Sequence, residues 1–305
     1  MKAINVHVSL RALGYLVALG EMRHFGKAAE RCFVSQPTLS AQIKKLEEQL
    51  GVQLVERGPR KVRLTDIGAR IAERARRVLD EAREIEELAR NSQDPLAGEV
   101  RVGLIPTVGP YLLPHVAGPL HQRFPRLKLL LGEHQTDRLV RLLHEGELDM
   151  GILALPAQGD RLATRPLYDE SFLVALPAGH PLAQRRQLAV DDLAGETLLL
   201  LEDGHCLRDQ ALEVCQLAHL RETPDFRATS LETLRQMVAS GVGITLLPRL
   251  AVDGSTSAPT MVVVPFVDPA PGRTIAAAWR PGSAREETIG RLCDAIESLM
   301  AERAR

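Results

Sequence analysis

Apolar side chains in the first ninety residues recur every three to four positions, the spacing of amphipathic helices. The pattern predicts a first helix over Leu10 to Leu19, a second over Gly26 to Cys32 and a third that begins at Gln36. A fourth, long helix is predicted from Thr65 to Asn91. Its apolar residues form one narrow stripe, which suits pairing with a second chain, and they are Ile67, Ile71, Ala75, Val78, Ala82, Ile85 and Leu88.

After Gly98 the pattern changes to short apolar runs that alternate with helical stretches. Strands are predicted at 100–105, 128–131, 150–153, 172–176, 198–201, 244–247, 261–264 and 275–279, and helices at 112–124, 136–145, from Cys206, at 230–240 and from about Arg285. This alternation predicts a mostly parallel α/β domain, in which ligands bind beyond the carboxyl ends of the strands. Ile105 to Thr107 and Glu202 to Cys206 both follow such ends.

The second and third predicted helices form a helix-turn-helix. Ser35 is a good N-cap and Pro37 falls in the first turn of the third helix, where its missing N–H costs nothing. Segments 53–56 and 61–64, bent around Gly58 and Pro59, predict a winged hairpin. The candidate DNA contacts are Arg11, Ser35, Gln36, Pro37, Thr38, Ser40, Gln42, Lys44, Arg57, Arg60 and Lys61. Alternatively, these side chains form a solvated helix face and a basic loop.

Charge is unevenly distributed along the 305 residues, although the net charge is only -1. Residues 1–64 hold eleven Lys and Arg against five Asp and Glu, so an anionic partner would bind there. No apolar run approaches the ~18 residues of a membrane span, and the N-terminus lacks a signal-peptide core, so a cytoplasmic location is expected. Four cysteines are too few and too scattered for a secreted disulfide scaffold.

Two of these cysteines, Cys206 and Cys215, lie on one predicted helix. Cys206 is at the start of that helix, where the N-terminus stabilises a thiolate. Cys215 lies nine residues later, which places the Cα atoms roughly 13 Å apart along an unbroken helix. A disulfide needs Cα atoms within roughly 7 Å, so oxidation would have to melt the helix. Alternatively, both cysteines are inert core residues.

Several motifs make the chain resemble the LysR-type transcriptional regulators. The segments HFGKAA at 24–29 and VSQPTLS at 34–40 match the general signature of that family. The segments GLIPTVGPYLLP at 103–114 and LEDGHCLRDQA at 201–211 resemble its peroxide-sensing members.

The resemblance implies three parts: a winged helix-turn-helix domain (8–64), a dimerisation linker helix (65–91) and a regulatory α/β domain of periplasmic-binding-protein type (98–305). The regulatory domain would have subdomain I at 98–169 and 275–305, and subdomain II at 170–274. The chain would be a homotetramer built from homodimers that binds promoter DNA and RNA polymerase. No cofactor and no membrane partner are expected.

The resemblance also implies roles for single residues. Cys206 would be the cysteine that hydrogen peroxide oxidises, and Cys215 its disulfide partner, with glutaredoxin or thioredoxin as reductant. Thr107, Thr136, His205 and Arg273 would surround the reactive sulfur, supported by Arg208 and Asp209. Hydroxyls can polarise the peroxide, and a guanidinium or imidazolium can stabilise a thiolate.

Other interpretations of these residues remain open at this stage. Thr107 and Thr136 could cap helices, Arg273 could pair with a surface carboxylate, and His205 could be a turn residue without a role. A regulator could bind a small organic anion in the α/β cleft, with inert cysteines. A thiol peroxidase, or a metal site at Cys206, Cys215, His205 and His219, fits the sequence less well. Cys32 and Cys293 are expected to be packing residues.

Overall fold

The computed structural model describes residues 7–57, 62–91, 94–157, 161–218, 221–252 and 260–303. The chain separates into two compact units, Met1–Arg90 and Asn91–Arg305. None of the described helices is both long and apolar enough to cross a membrane.

The first unit contains a helix-turn-helix followed by a two-stranded hairpin. Its elements are α1 (Leu10–Met22), α2 (Phe25–Arg31), α3 (Gln36–Leu50), β1 (Val55–Arg57), β2 (Val62–Leu64) and α4 (Asp66–Asn91). The Ser35 hydroxyl accepts a hydrogen bond from the Thr38 amide at 3.3 Å and so caps α3. Leu16, Leu39 and Ile43 are fully buried at the centre of this unit, as their spacing predicts.

In a single chain, part of the apolar stripe of α4 is exposed to solvent. Ile67, Val78 and Ile85 are 40%, 45% and 69% exposed, whereas Ala72 and Ala75 are buried. The single long helix predicted from the sequence is therefore present. Its pairing with a second chain stays a prediction.

The second unit is built on a mixed sheet. Its strands are β3 (Gly98–Leu104), β4 (Leu127–Glu133), β5 (Met150–Ala154), β6 (Ala163–Pro177), β7 (Thr197–Leu201), β8 (Arg221–Ala228), β9 (Thr245–Pro248), β10 (Met261–Pro265) and β11 (Gly272–Trp279). Its helices are α5 (Gly109–Arg123), α6 (Thr136–His144), α7 (Cys206–Ala218), α8 (Leu231–Ala239), α9 (Arg249–Val252) and α10 (Glu286–Arg303).

The prediction of a mostly parallel sheet is wrong. The main sheet has the order β10-β6-β11-β5-β3-β4, with β9 also paired to β6. Strand β3 pairs in parallel with β4 and β5, and β7 with β8, but β6, β9, β10 and β11 all pair antiparallel. The chain returns to the main sheet through β11, which runs against both of its neighbours. Apolar runs do not carry strand direction, so the sequence pattern could not reveal this.

Two hydrophobic cores lie in this unit, and β6 contributes to both. Leu167 packs in the first core with β3, β5 and α10, whereas Phe172 and Val174 pack in the second with β7 and α8. Because β6 is one unbroken strand, the predicted boundary between 169 and 170 falls inside a strand. The division into two subdomains with those boundaries stays a prediction.

Candidate functional site

Cys206 is the first residue of α7, directly after the turn that follows β7. In this turn Gly204 has φ of +93°, and a Cβ there would lie 3.2 Å from the Gln135 side-chain oxygen. A positive φ and a close neighbour both favour glycine. The turn therefore approaches the N-terminus of α6 closely.

The two faces of α7 contact different cores. Leu207, Ala211 and Val214 are buried in the second core, whereas the half-buried Cys206 packs against the first. The thiol therefore lies at the junction of the two cores rather than in solvent. Leu207 and Ala211 therefore belong to the apolar face of α7. The side chain of Cys215 lies outside the described part of the chain.

Two threonines predicted for the pocket are buried, and neither caps a helix. The N-cap of α5 is Val108, and that of α6 is Gln135, so helix capping does not explain Thr107 or Thr136. The Thr136 hydroxyl is buried with no hydrogen-bond partner among the described residues. Since buried hydroxyls are usually paired, this oxygen is available to a bound molecule.

Arg273 is buried and donates hydrogen bonds to both Thr107 and Glu170. Its Nη1 and Nη2 atoms donate to the Thr107 hydroxyl and carbonyl oxygens, each at 3.0 Å. Its Nε donates to Glu170 Oε2 at 3.0 Å, and Glu170 Oε1 accepts from the Leu250 amide at 2.9 Å. Arg273 thus forms a buried ion pair, and the surface-carboxylate alternative is wrong. The hydrogen bonds of Arg273 position Thr107. The carboxylate of Glu170 balances the positive charge of the guanidinium.

Glu170 was not identified from the sequence. A lone acid at the start of an apolar run gave no sign that it would be buried. Its partner Arg273 lies 103 residues further along the chain. Only the antiparallel register of β6 with β11, which sets Arg273 opposite Glu170, brings the two together.

His205 is buried beside the N-terminus of α6. Its Nε2 lies 3.5 Å from Gln135 Nε2 and 3.9 Å from Glu202 Oε1. Burial lowers the pKa of His205, and the nearby Glu202 carboxylate only partly opposes this. The neutral imidazole is therefore favoured near neutral pH, and the expectation of an imidazolium that stabilises the thiolate is not supported.

The two supporting residues predicted after Cys206 differ in their surroundings. Arg208 is buried, with its Nε 3.0 Å from Asp203 Oδ1, and its Nη1 donates to the Leu201 carbonyl at 3.5 Å. It therefore ties α7 to the preceding turn and strand. Asp209 is exposed in the first turn of α7, where a carboxylate favours the helix N-terminus.

The other cysteines lie in less reactive surroundings. Cys293 is fully buried, and burial raises its pKa to about 11. Burial also raises the pKa of the half-buried Cys32. Both thiols therefore remain protonated near neutral pH, which fits packing roles. Of the suggested metal site, His219 and the Cys215 side chain lie outside the described residues; within the described part, no three His, Cys, Asp or Glu side chains cluster as a metal site would require.

The predicted DNA-reading face is exposed on α3. Gln36, Pro37, Thr38 and Lys44 are exposed, Ser40 and Gln42 are half-buried, and Ser35 is exposed while it caps the helix. Arg11 is exposed in the first turn of α1. Arg60, Lys61 and the Arg57 side chain lie outside the described part of the chain.

Comparisons with known proteins cover both units. Residues 10–69 match the bacterial regulatory helix-turn-helix protein, lysR family, and residues 93–301 match the LysR substrate binding domain. The chain is 50% identical over 293 residues to the DNA-binding transcriptional dual regulator OxyR of Escherichia coli K12, covering 96% of each protein.

Solved structures agree with this relationship. A full-length OxyR variant from Pseudomonas aeruginosa has a TM-score of 0.77 and 44% identity, covering 96% of this chain and 95% of that one. A Corynebacterium glutamicum OxyR variant with hydrogen peroxide bound has a TM-score of 0.67 and 35% identity, covering 97% and 94%. The chain, which closely resembles OxyR, therefore belongs to the LysR family of bacterial transcriptional regulators.

Proposed function

We propose that this protein is a DNA-binding transcriptional activator of peroxide-response genes, and that Cys206 is its sensing residue. The observation that carries the proposal is the position of Cys206. It is a half-buried thiol on a helix N-terminus, after a turn that lies against the side chain of Gln135, the residue before Thr136. The similarity to proteins described as OxyR, one of them with bound hydrogen peroxide, supports hydrogen peroxide as the signal.

In the proposed first step the Cys206 thiolate attacks one oxygen of hydrogen peroxide. An S–O bond forms while the O–O bond breaks, and the departing hydroxide takes up a proton to leave as water. The product is a sulfenic acid on Cys206. Thr136, and Thr107 held by Arg273, would orient the peroxide by hydrogen bonds.

In the second step the Cys215 thiol attacks the oxidised sulfur. An S–S bond forms, the S–OH bond breaks, and a second water leaves. Two thiols are thereby oxidised to one disulfide while peroxide is reduced to two waters. A dithiol reductant such as glutaredoxin or thioredoxin would return both thiols by exchange.

Helix α7 makes this disulfide incompatible with the reduced fold. The helix is unbroken from Cys206 to Ala218, so the backbone positions of the two cysteines are roughly 13 Å apart along its axis. The chain must therefore unwind between them before the bond can close. The packing of Leu207, Ala211 and Val214 in the second core would change with it.

This refolding would reach DNA through the assembly of the protein. The exposed apolar stripe of α4 would pair two chains into a dimer. Two such dimers would then form a homotetramer. Changed contacts between regulatory domains would alter the spacing of the DNA-binding domains on half-sites that lie whole helical turns apart. RNA polymerase would then be recruited by the oxidised form.

The proposal is tested by comparing Cys206→Ser with Cys293→Ser. Mass spectrometry after one equivalent of peroxide should show the Cys206–Cys215 bond in the unmodified chain and in Cys293→Ser. The DNase footprint on promoter DNA should change on oxidation in those two proteins and stay constant in Cys206→Ser. A footprint that still switches in Cys206→Ser would overturn the proposal.

A further inference from the structure

Phe33 is the most exposed large apolar residue in the part of the chain that the structure describes. It is 96% exposed, whereas the next, Ile85, is 69% exposed. The residues on either side, Cys32 and Val34, are half-buried and pack against the core of the first unit. The turn between α2 and α3 therefore holds the neighbours of Phe33 inward and leaves Phe33 itself in solvent.

The backbone of Phe33 lies in the left-handed region, with φ of +55°. A bulky residue rarely adopts a positive φ, because its Cβ then crowds the following carbonyl oxygen. The Phe33 amide donates to the Glu30 carbonyl at 3.1 Å, and the Val34 amide donates to the Ala29 carbonyl at 3.0 Å. Glycine would fit this turn with less strain, yet the chain has an exposed phenylalanine there. Residues held in such conformations cluster at functional sites.

Phe33 is adjacent to the DNA-reading face of α3. It lies two residues before Ser35, the N-cap of that helix. In a helix-turn-helix, the N-terminal residues of the second helix contact base edges in the major groove. Gln36, Pro37 and Thr38 at this N-terminus are all exposed. The surface around Phe33 is therefore continuous with the surface that faces DNA.

The surroundings of Phe33 favour DNA over a protein partner. Between Leu10 and Val52, all of them described, Phe33 is the sole exposed large apolar residue. A protein interface has a contiguous apolar patch, whereas a single ring suits the single methyl group that thymine presents in the major groove. Residues 1–64 also carry the surplus of Lys and Arg that binding to phosphates requires.

We propose that Phe33 contacts the C5-methyl group of one thymine in each half-site and so contributes to DNA sequence specificity. Apolar contact with this methyl group distinguishes thymine from the other bases in the major groove. The hydrogen-bonded turn fixes the backbone of Phe33, so little conformational freedom is lost on binding. This inference rests on the DNA-binding part of the proposed function and is independent of Cys206.

Deoxyuridine provides the test, because it differs from thymidine only by the absence of this methyl group. The full-length reduced chain first selects a duplex from a pool of random-sequence DNA. Each thymine of that duplex is then replaced by deoxyuridine in turn, and binding is measured by fluorescence anisotropy. We expect one thymine per half-site at which the unmodified chain loses about fourfold in affinity, because burial of one methylene-sized group is worth ~0.8 kcal/mol.

Phe33→Ala should weaken binding to the thymine duplex by at least the same factor and should be insensitive to the deoxyuridine replacement at that position. The matched control is Val52→Ala, which removes an exposed apolar side chain from the same unit and should bind both duplexes like the unmodified chain. Affinity for an unselected duplex should be equal in all three proteins, since such binding depends on phosphate contacts. Equal affinity there also shows that the variants are folded.

Phe33→Gly separates the effect of the ring from that of the backbone. Glycine adopts a positive φ readily, so this variant keeps the conformation of the turn without strain. It should lose the same affinity for the thymine duplex as Phe33→Ala. If Phe33→Gly binds that duplex as tightly as the unmodified chain, the ring makes no contact and the proposal is wrong.

The remaining outcomes separate this proposal from the proposed function. A Phe33→Ala chain that still loses about fourfold at the same deoxyuridine would overturn the thymine contact. If the unmodified chain selects no DNA, the proposed function fails at its DNA-binding step. If the chain discriminates thymine through Phe33 but its footprint does not respond to peroxide, the thymine contact stands and the role of Cys206 fails.

Discussion

Arg273 and Glu170 form the buried charge pair on which the candidate pocket depends. Their side chains are 0% and 3% exposed, and three of the hydrogen bonds at the site involve the guanidinium. A buried pair of this kind adds little net stability compared with apolar packing, but loss of one partner leaves the other charge buried and uncompensated. Its contribution here is to hold Thr107 in one orientation.

Glu170→Gln should therefore lower the free energy of unfolding by about 3–5 kcal/mol. The matched control is Lys128→Ala, which breaks the exposed ion pair with Glu99 and should leave stability nearly unchanged. Urea unfolding followed by the fluorescence of Trp279, the single tryptophan, reports on the regulatory unit. Equal midpoints for the two variants would contradict this account.

His205 should make the stability of the regulatory unit depend on pH. Burial lowers its pKa in the folded state, whereas the unfolded chain titrates near the ordinary value of ~6.5. The unfolded state therefore takes up the proton first. The stability that His205 contributes is present above that value and is lost as the pH falls below it.

The measurement is the urea midpoint from pH 7.5 to pH 5.5, about one unit on either side of the ordinary histidine value. His205→Gln should flatten part of the decline. The pKa of His134 is also lowered by burial, so His134→Gln is the comparison that separates the two contributions. An unchanged slope in His205→Gln would show that His205 is not buried in neutral form.

Helix α7 contributes to both cores of the regulatory unit. The apolar face of α7 packs in the second core, and Cys206, the first residue of the helix, packs against the first core. The turn before it is held by Arg208 and by a glycine with positive φ. Such an element can be stable in the reduced state and still be replaced by another packing of similar free energy.

Hydrogen exchange should detect this replacement. On oxidation, amides of α7 between Leu207 and Ala218 should lose protection, because the disulfide forbids a continuous helix over Cys206 to Cys215. Amides of α8 (Leu231–Ala239) pack in the same core and should keep theirs. Protection of α7 that is equal before and after disulfide formation would show that no unwinding occurs.

The proposed assembly requires that the whole molecule pairs with a second chain. Within one chain α4 exposes Ile67, Val78 and Ile85, and a row of exposed apolar residues on a long helix is typical of a pairing surface. Because these side chains are largely exposed, changing one should not unfold the chain.

Ile85→Glu should weaken dimerisation by about tenfold or more, since a charge would be buried in the helix seam. The control is Val242→Glu, which places the same charge at an exposed apolar position of the regulatory unit. Sedimentation equilibrium measures both. If Ile85→Glu and the unmodified chain associate equally, α4 is not the dimer contact.

Local features of this protein were predictable from the sequence because their signals are local. The helix-turn-helix, the start of α3 after Ser35, the start of α7 at Cys206 and the long α4 all follow from periodicity, capping residues and turn chemistry. Strand β8 was missed because its sequence, RETPDFRA, has no apolar alternation. Strand β6 was predicted too short because its first half is polar.

Only the tertiary structure decided the contacts between residues that are distant in the sequence. The sheet directions, the pairing of Arg273 with Glu170 and Thr107 at separations of 103 and 166 residues, and the neutral His205 beside Gln135 all depend on register and burial. Periodicity states which face of an element is apolar, but it does not state which element covers that face. The sequence by itself therefore determined most of the helices and strands and the place of Cys206 at the start of α7, and packing determined the surroundings of its thiol.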